Sequence, residues 1–377
     1  MTEWDLFSGE VSPVEAVTQN GKTLLRTIFH PTGSRVFVID TSKSPAPERP
    51  LPARKIEEKV KRLPEEWRFK RLHLNSFVID SCEYCFGNEE WRPKTPIWKI
   101  RREAWRVSGL EKYVGIQPWV LKEKNVKPSR PFELRLRASF KSETKPKRLF
   151  LVIEKPSIWK VKVNGVSVST ETSEWYWDKQ FGKIDISKEV IVGENIIELS
   201  STFNWDVPIE DLYLVGDFGV KKISETEYVL TEEPTSLKNG SWVEQGYPFY
   251  AGTMRYEADF NLDQEPRADE QVIIRLPEAE GTLFLVRVNG SDPMPICWRP
   301  FEVDVAKNVR KGKNELSIDV VSSLRNTFGP LHHKSGDLYW VGPFSFMDEK
   351  NWTDAYQLVP YGLIKGAEIV IRKTKSI

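Results

Sequence analysis

The tightest constraint on this chain is a pattern that it carries twice. In the first half VKVNG (161–165) is followed by IDISKEVIVGEN (184–195), and in the second half VRVNG (286–290) is followed by VDVAKNVRKGKN (303–314). Asp185, Gly193 and Asn195 recur at the same spacing as Asp304, Gly312 and Asn314, and Asn164-Gly165 matches Asn289-Gly290. Asn-Gly supplies the positive φ angles of a tight hairpin turn. An Asp that follows a β-residue caps a short turn by accepting backbone N–H bonds, and Gly-x-Asn then returns the chain to the next strand. These residues read as folding chemistry rather than catalysis, and two copies imply two homologous sandwich domains.

The rest of the chain fits an all-β fold. Short β-rich runs dominate, among them FELRLRASF (132–140), RLFLVIE (148–154), MRYEADFNL (254–262) and NELSIDVVSS (314–323). Their apolar–polar alternation predicts strands with one buried face, and the Gly, Pro and Asn punctuation between them predicts sandwiches or jelly rolls. The turn-rich TEEPTSLKNG (231–240) places a boundary near residue 235. The expected organisation is a β-rich segment over 1–45, a linker over 46–70, and tandem jelly-roll sandwiches over 71–234 and 235–377. SKSPAPERPLP (42–52) is linker-like by composition. ARKIEEKVKRL (53–63), with mixed charges at helical spacing, predicts a short helix or charged connector, and IWKIRREAWRV (97–107) a second helical stretch.

Composition narrows the function classes. The 55 basic and 54 acidic residues nearly cancel to a net charge of +1, which argues against nucleic acid as the main partner. No apolar run reaches the length of a membrane span, and MTEWDLFSGE lacks the basic and apolar regions of a signal peptide, so the sequence predicts a soluble cytoplasmic chain. Cys82, Cys85 and Cys297 form no disulfide framework, and the CEYC spacing has no second pair at ligand distance, so no metal site is assigned. Fourteen tryptophans are more than core filling usually needs, and flat aromatic faces also suit the apolar faces of sugars.

The repeated VNG, (I/V)D(I/V) and GxN pattern resembles the sugar-binding, galactose-binding-like jelly roll of family 2 glycoside hydrolases. LHLNSFVIDSCEY (72–84), DLYLVGDFGV (211–220), GYPFYAGTMRYEADF (246–260) and SLRNTFGPLHH (323–333) are similar to the C-terminal region of large α-L-rhamnosidase-like enzymes of the family 106 type. The resemblance spans roughly residues 70 to 335. It implies carbohydrate as ligand and a separate glycoside hydrolase catalytic chain or domain as partner, because no alternating βα region here could form a catalytic barrel. Such a sandwich can also carry a structural calcium ion, but no spacing identifies a site and no cofactor is assigned.

Several residues are candidates for ligand contact. Trp242, Tyr247 and Tyr250, with Phe249, form the densest aromatic group and serve either inter-sheet packing or sugar stacking. Trp175 and Trp177 offer the same choice. Asp217, between glycines in VGDFG, suits a functional or a turn carboxylate. Glu257 and Asp259 share one strand face but sit too close to straddle a sugar. Arg325, Asn326, His332 and His333 in SSLRNTFGPLHH (322–333) read as a structural brace at a sandwich end, with sugar contact as the alternative. The expected function is a non-catalytic carbohydrate-binding or scaffold module of a glycoside hydrolase. The rivals are a hydrolase with its own site at Asp217, Arg325 and His332, and a purely structural subunit.

Overall fold

The computed structural model describes residues 1–6, 9–14, 16–31, 33–40, 42, 54–336 and 346–376. Two hydrophobic cores organise them, each enclosed by two sheets that are antiparallel except where Tyr228–Thr231 pairs in parallel with Glu133–Ser142. In the first sandwich one sheet runs in the order Arg92–Pro96, Ser81–Phe86, Glu133–Ser142, Gly193–Thr202, Lys160–Val163, Val166–Val168. The opposing sheet runs Trp175–Tyr176, Asp178–Asp185, Leu149–Glu154, Leu212–Gly216, Asn75–Ile79. Alternation in Glu133–Ser142 is the reason it can lie between two strands and over a core: Leu134, Leu136, Ala138 and Phe140 are buried, while Arg135 and Arg137 face outward.

The second sandwich repeats the order of the central strands with smaller sheets. Glu66–Arg71, Thr253–Leu262, Gly312–Val321, Leu283–Val288 and Met294–Ile296 form one sheet. Glu302–Asp304, Glu270–Arg275, Glu368–Ser376 and Arg54–Arg62 form the other. Its first two strands therefore precede the first sandwich in sequence, and Leu237–Lys238 returns afterwards to pair with Glu66–Arg71. The first sandwich is thus inserted within the second.

This corrects the expected linker and helix. Residues 54–62 form a strand, and 66–71 form another; residues 46–53 lie outside the described residues. The charges that suggest a helix are cross-strand complements instead. Glu58 opposes Arg372 and Arg62 opposes Glu368, and Glu58 hydrogen-bonds both Arg372 and Arg275. Helical spacing is a weak preference that such a ladder overrides. The other helical expectation holds, as Ile97–Val107 is an α-helix whose Ile97, Ile100 and Ala104 enter the first core.

The repeated motif has the same role in both copies. Asn164 and Asn289 adopt φ of 50° and 52°. Each donates from Nδ2 to the Oδ1 of the second asparagine, Asn195 at 2.9 Å and Asn314 at 2.8 Å. Each also accepts a backbone N–H from the residue after that asparagine. Asn195 and Asn314 are fully buried and bond the preceding turn through Ile191 and Gly193 or Arg310 and Gly312. Asp185 and Asp304 cap their turns by accepting the N–H of Ser187 and Ala306, both at 2.9 Å.

The N-terminal residues add a sheet of Thr2–Trp4, Val11–Pro13 and Val36–Val38 and a hairpin of Ala16–Gln19 with Lys22–Leu25. Among the described residues no helix is long and apolar enough to cross a membrane. Replacing either buried asparagine strands several backbone groups, so Asn195→Ala and Asn314→Ala should each cost about 2–4 kcal/mol in urea unfolding. Exposed Ser167→Ala should stay within about 0.5 kcal/mol.

Candidate functional site

Where the two sandwiches meet, the candidate aromatics are consumed by packing. Trp242, Tyr247, Phe249 and Tyr250 are all fully buried. Trp242 stacks on Tyr361 at 5.7 Å, Tyr250 meets Trp242 and Tyr247 edge-on, and Tyr247 packs on Phe69. The Tyr250 hydroxyl donates to the carbonyl of Thr253. None of these rings offers a face to a sugar, which corrects that expectation: Pro248 steers the segment into the seam instead of along an exposed edge.

Asp217 belongs to the same seam. Arg148 holds it bidentately at 2.6 and 2.9 Å, and Arg71 adds a bond at 3.2 Å. Hydrogen bonds from Arg148 hold its carboxyl below the usual range despite partial burial. Arg71 also bonds Glu233, which accepts the Tyr247 hydroxyl. Asp217 is therefore an interdomain clamp. Glu257 and Asp259 are likewise paired, with Lys70 at 3.0 Å and with Arg68 and Lys313 at 3.3 and 3.2 Å.

The SSLRNTFGPLHH segment is a brace, reaching from the second sandwich across the first. Asn326 is buried and exchanges two 2.9 Å bonds with the backbone of Val359. Arg325 donates to the carbonyl of Gln357 at 3.1 Å, and Thr327 donates to that of Phe249 at 2.6 Å. His332 bridges Asp80 through Nε2 and the Thr353 carbonyl through Nδ1, each at 2.8 Å, and stacks on Trp352 at 4.5 Å. His333 is 4% exposed, 3.7 Å from Asp348. Asp217, Arg325 and His332, grouped above as a hydrolytic site, are engaged by Arg148 and Arg71, by the Gln357 carbonyl, and by Asp80 with the Thr353 carbonyl respectively. Among the described residues no group of His, Cys, Asp or Glu is placed to hold a metal ion.

Asp80 and Asp211, absent from the sequence candidates, are tied to this brace. Burial, with Asp80 and Glu210 nearby, pushes the Asp211 carboxyl well above its ordinary range. Burial lowers the basicity of His332, but the bond and charge of Asp80 outweigh it and raise the imidazole. In both groups the folded chain holds the proton more tightly than the unfolded chain. Stability therefore falls as pH rises, from about pH 4 for Asp211 and from about pH 6.5 for His332.

An open surface with recognition chemistry lies on the outer face of the first sandwich. Strand alternation turns Arg135 and Arg137, Glu198 and Ser200, and Lys160 and Lys162 outward into one groove of about 700 Å³. Trp91 closes one side, with the Arg137 guanidinium 4.0 Å from its ring centre. Ser167, Ser169, Thr170 and Glu171 close the other. Sequence reasoning passed over these residues, although the alternation in FELRLRASF and WKVKV already places their charges on one face. A larger cleft, about 1070 Å³, lies between the N-terminal strands and the second sandwich. Charges there pair with each other, Arg35 with Glu3 and Arg372 with Glu302. Trp175 and Trp177 are half-exposed but line neither space.

No family model and no curated protein matches the chain. Solved structures that it is similar to include a rhamnosidase from Novosphingobium sp. PP1Y, at 17% identity and TM-score 0.27, covering 68% of this chain and 26% of that one. A β-glucuronidase from Bifidobacterium dentium is 20% identical with TM-score 0.26, covering 41% of this chain and 28% of that one. A β-D-mannosidase from Dictyoglomus thermophilum is 12% identical with TM-score 0.25, covering 66% and 31%. These neighbours are glycoside hydrolases, and the chain spans between a quarter and a third of their length.

Replacing Asp211 by Asn removes a carboxyl that the fold disfavours when charged. Asp211→Asn should raise Tm at pH 8 by about 2–4 °C, the shift that ~1 kcal/mol produces in a domain of this size. At pH 4 the two proteins should melt within about a degree of each other. Thermal unfolding across that range checks the sign.

Proposed function

We propose that this chain is a non-catalytic accessory module of a glycoside hydrolase, holding carbohydrate in the groove on the first sandwich. The groove itself carries the reading. It combines hydroxyl groups, charged donors, two carboxylates and an indole in one open trough, the mixture that orients a polyhydroxylated ligand. Its volume lies within the range of small-molecule sites. The residues that resemble the family's sugar-binding sandwich supply the frame, while the buried aromatics Trp242, Tyr247, Phe249 and Tyr250 belong to the two cores.

The rival reading, a hydrolase in its own right, needs two carboxyl groups facing each other across space for a sugar. Asp217 is held by two arginines and His332 by Asp80, so neither is disposed for that task. Calorimetric titration with a panel of polysaccharides and their oligosaccharides tests the proposal. Saturable binding is expected, with Trp91→Ala weakening it about tenfold or more and Trp175→Ala leaving it unchanged. No binding to any glycan, together with stable association with a catalytic chain, would assign the module to support alone.

A further inference from the structure

The register across the groove separates its charges into two rows. In one row Arg137 on Glu133–Ser142 lies opposite Glu198 on Gly193–Thr202, which lies opposite Lys162 on Lys160–Val163. Arg137 hydrogen-bonds Glu198 at 3.1 and 3.2 Å and lies 3.7 Å from Glu83, which faces it from the strand on its other side, so two carboxylates balance the two cations of this row. In the adjacent row Arg135 lies opposite Ser200, which lies opposite Lys160. Two cations here flank a hydroxyl, and among the described residues no carboxylate pairs with either. Arg135 donates to the Gly87 carbonyl at 2.8 Å, which fixes the guanidinium without neutralising it. Lys160 is exposed.

We infer that the groove selects an acidic saccharide, whose carboxylate or sulfate sits over Ser200 between Arg135 and Lys160. This rests on the carbohydrate reading above and adds the ligand's charge class to it. An anion there gains two charge-assisted hydrogen bonds and one from the serine. Trp91 on one flank and Ser167 and Thr170 on the other meet the uncharged ring and its hydroxyls. A nucleic acid backbone suits the groove less. It carries a negative charge at every step, and Glu198 and Glu171 interrupt the positive track. A glycan with isolated anionic groups can place its charge at the cationic row alone.

Two matched polymer pairs test this: polygalacturonate against its fully methyl-esterified form, and a sulfated galactan against its desulfated form. Calorimetry should show binding to at least one acidic member at least tenfold tighter than to its neutral partner, weakening as salt rises. Whether the uronate or the sulfate binds tells which anionic group is recognised. Lys160→Gln alters an exposed side chain and should weaken the acidic ligand about tenfold with Tm unchanged. Arg135→Gln should weaken the acidic ligand likewise, with some loss of Tm because the bond to the Gly87 carbonyl goes with it, and Lys147→Gln, on the same sandwich but outside the groove, should have no effect. Equal binding of acidic and neutral members, insensitive to Lys160→Gln, would overturn the charge selectivity while leaving carbohydrate binding standing. Acidic binding abolished by Trp175→Ala but not by Lys160→Gln would place the ligand elsewhere and overturn the site. Equal, variant-sensitive binding of single-stranded DNA would reduce the groove to a general polyanion patch and overturn it. Binding of no glycan, charged or neutral, would overturn both readings together.

Discussion

The architecture depends on one ladder whose strands are separated by nearly the whole chain. Arg54–Arg62 pairs with Glu368–Ser376 along nine positions, and Glu58 reaches Arg372 across 314 residues of sequence. Until that ladder forms, the second sandwich lacks an edge strand. Closing so long a loop costs entropy that grows only slowly with length, and here the intervening residues are shortened by folding of the inserted sandwich. The arginine–glutamate net of Glu58, Arg275, Glu302 and Arg372 then fixes the register. A one-residue slip would set these charges against the wrong neighbours.

Insertion explains where the aromatic residues went. A domain held by two crossings of its host has a permanent seam, and a permanent seam is buried like a core. Trp242, Tyr247 and Tyr250 extend the second core up to it and Phe249 the first, with Arg71, Asp217 and Glu233 pairing their charges across it. The brace from Ser322 onward covers another side of the first sandwich, where Leu331 joins its core. What stays open is the outer face of the sheet containing Glu133–Ser142, and there the alternation of the strands displays charge and hydroxyl instead of apolar surface.

Legibility in the sequence followed the range of the interactions. The asparagine–glycine pattern was readable because positive φ and a buried amide admit few residue types, so local chemistry alone dictates Asn164, Asn195, Asn289 and Asn314. The helix at Ile97–Val107 was readable for the same reason, its apolar positions recurring within a dozen residues. Arg54–Arg62 was not, because its complements lie on Glu368–Ser376 and its charge spacing suits a helix equally well. Aromatic density near Trp242 announced an important segment, yet burial is a property of the assembled seam. The pair of Asp80 and His332, 252 residues apart, and the row of Arg135, Ser200 and Lys160 needed register, which no single stretch of sequence contains.

The clasp also has a mechanical consequence. Its antiparallel register sets Arg54 opposite Ser376, so the chain enters and leaves the paired sandwiches at the same end of one ladder. Tension drawn between those two points would load the hydrogen bonds one after another, as in a zipper, instead of shearing all of them at once. The second sandwich would open at low force from that end, while the inserted one, strung between interior points of its host, would feel no load until the clasp had parted.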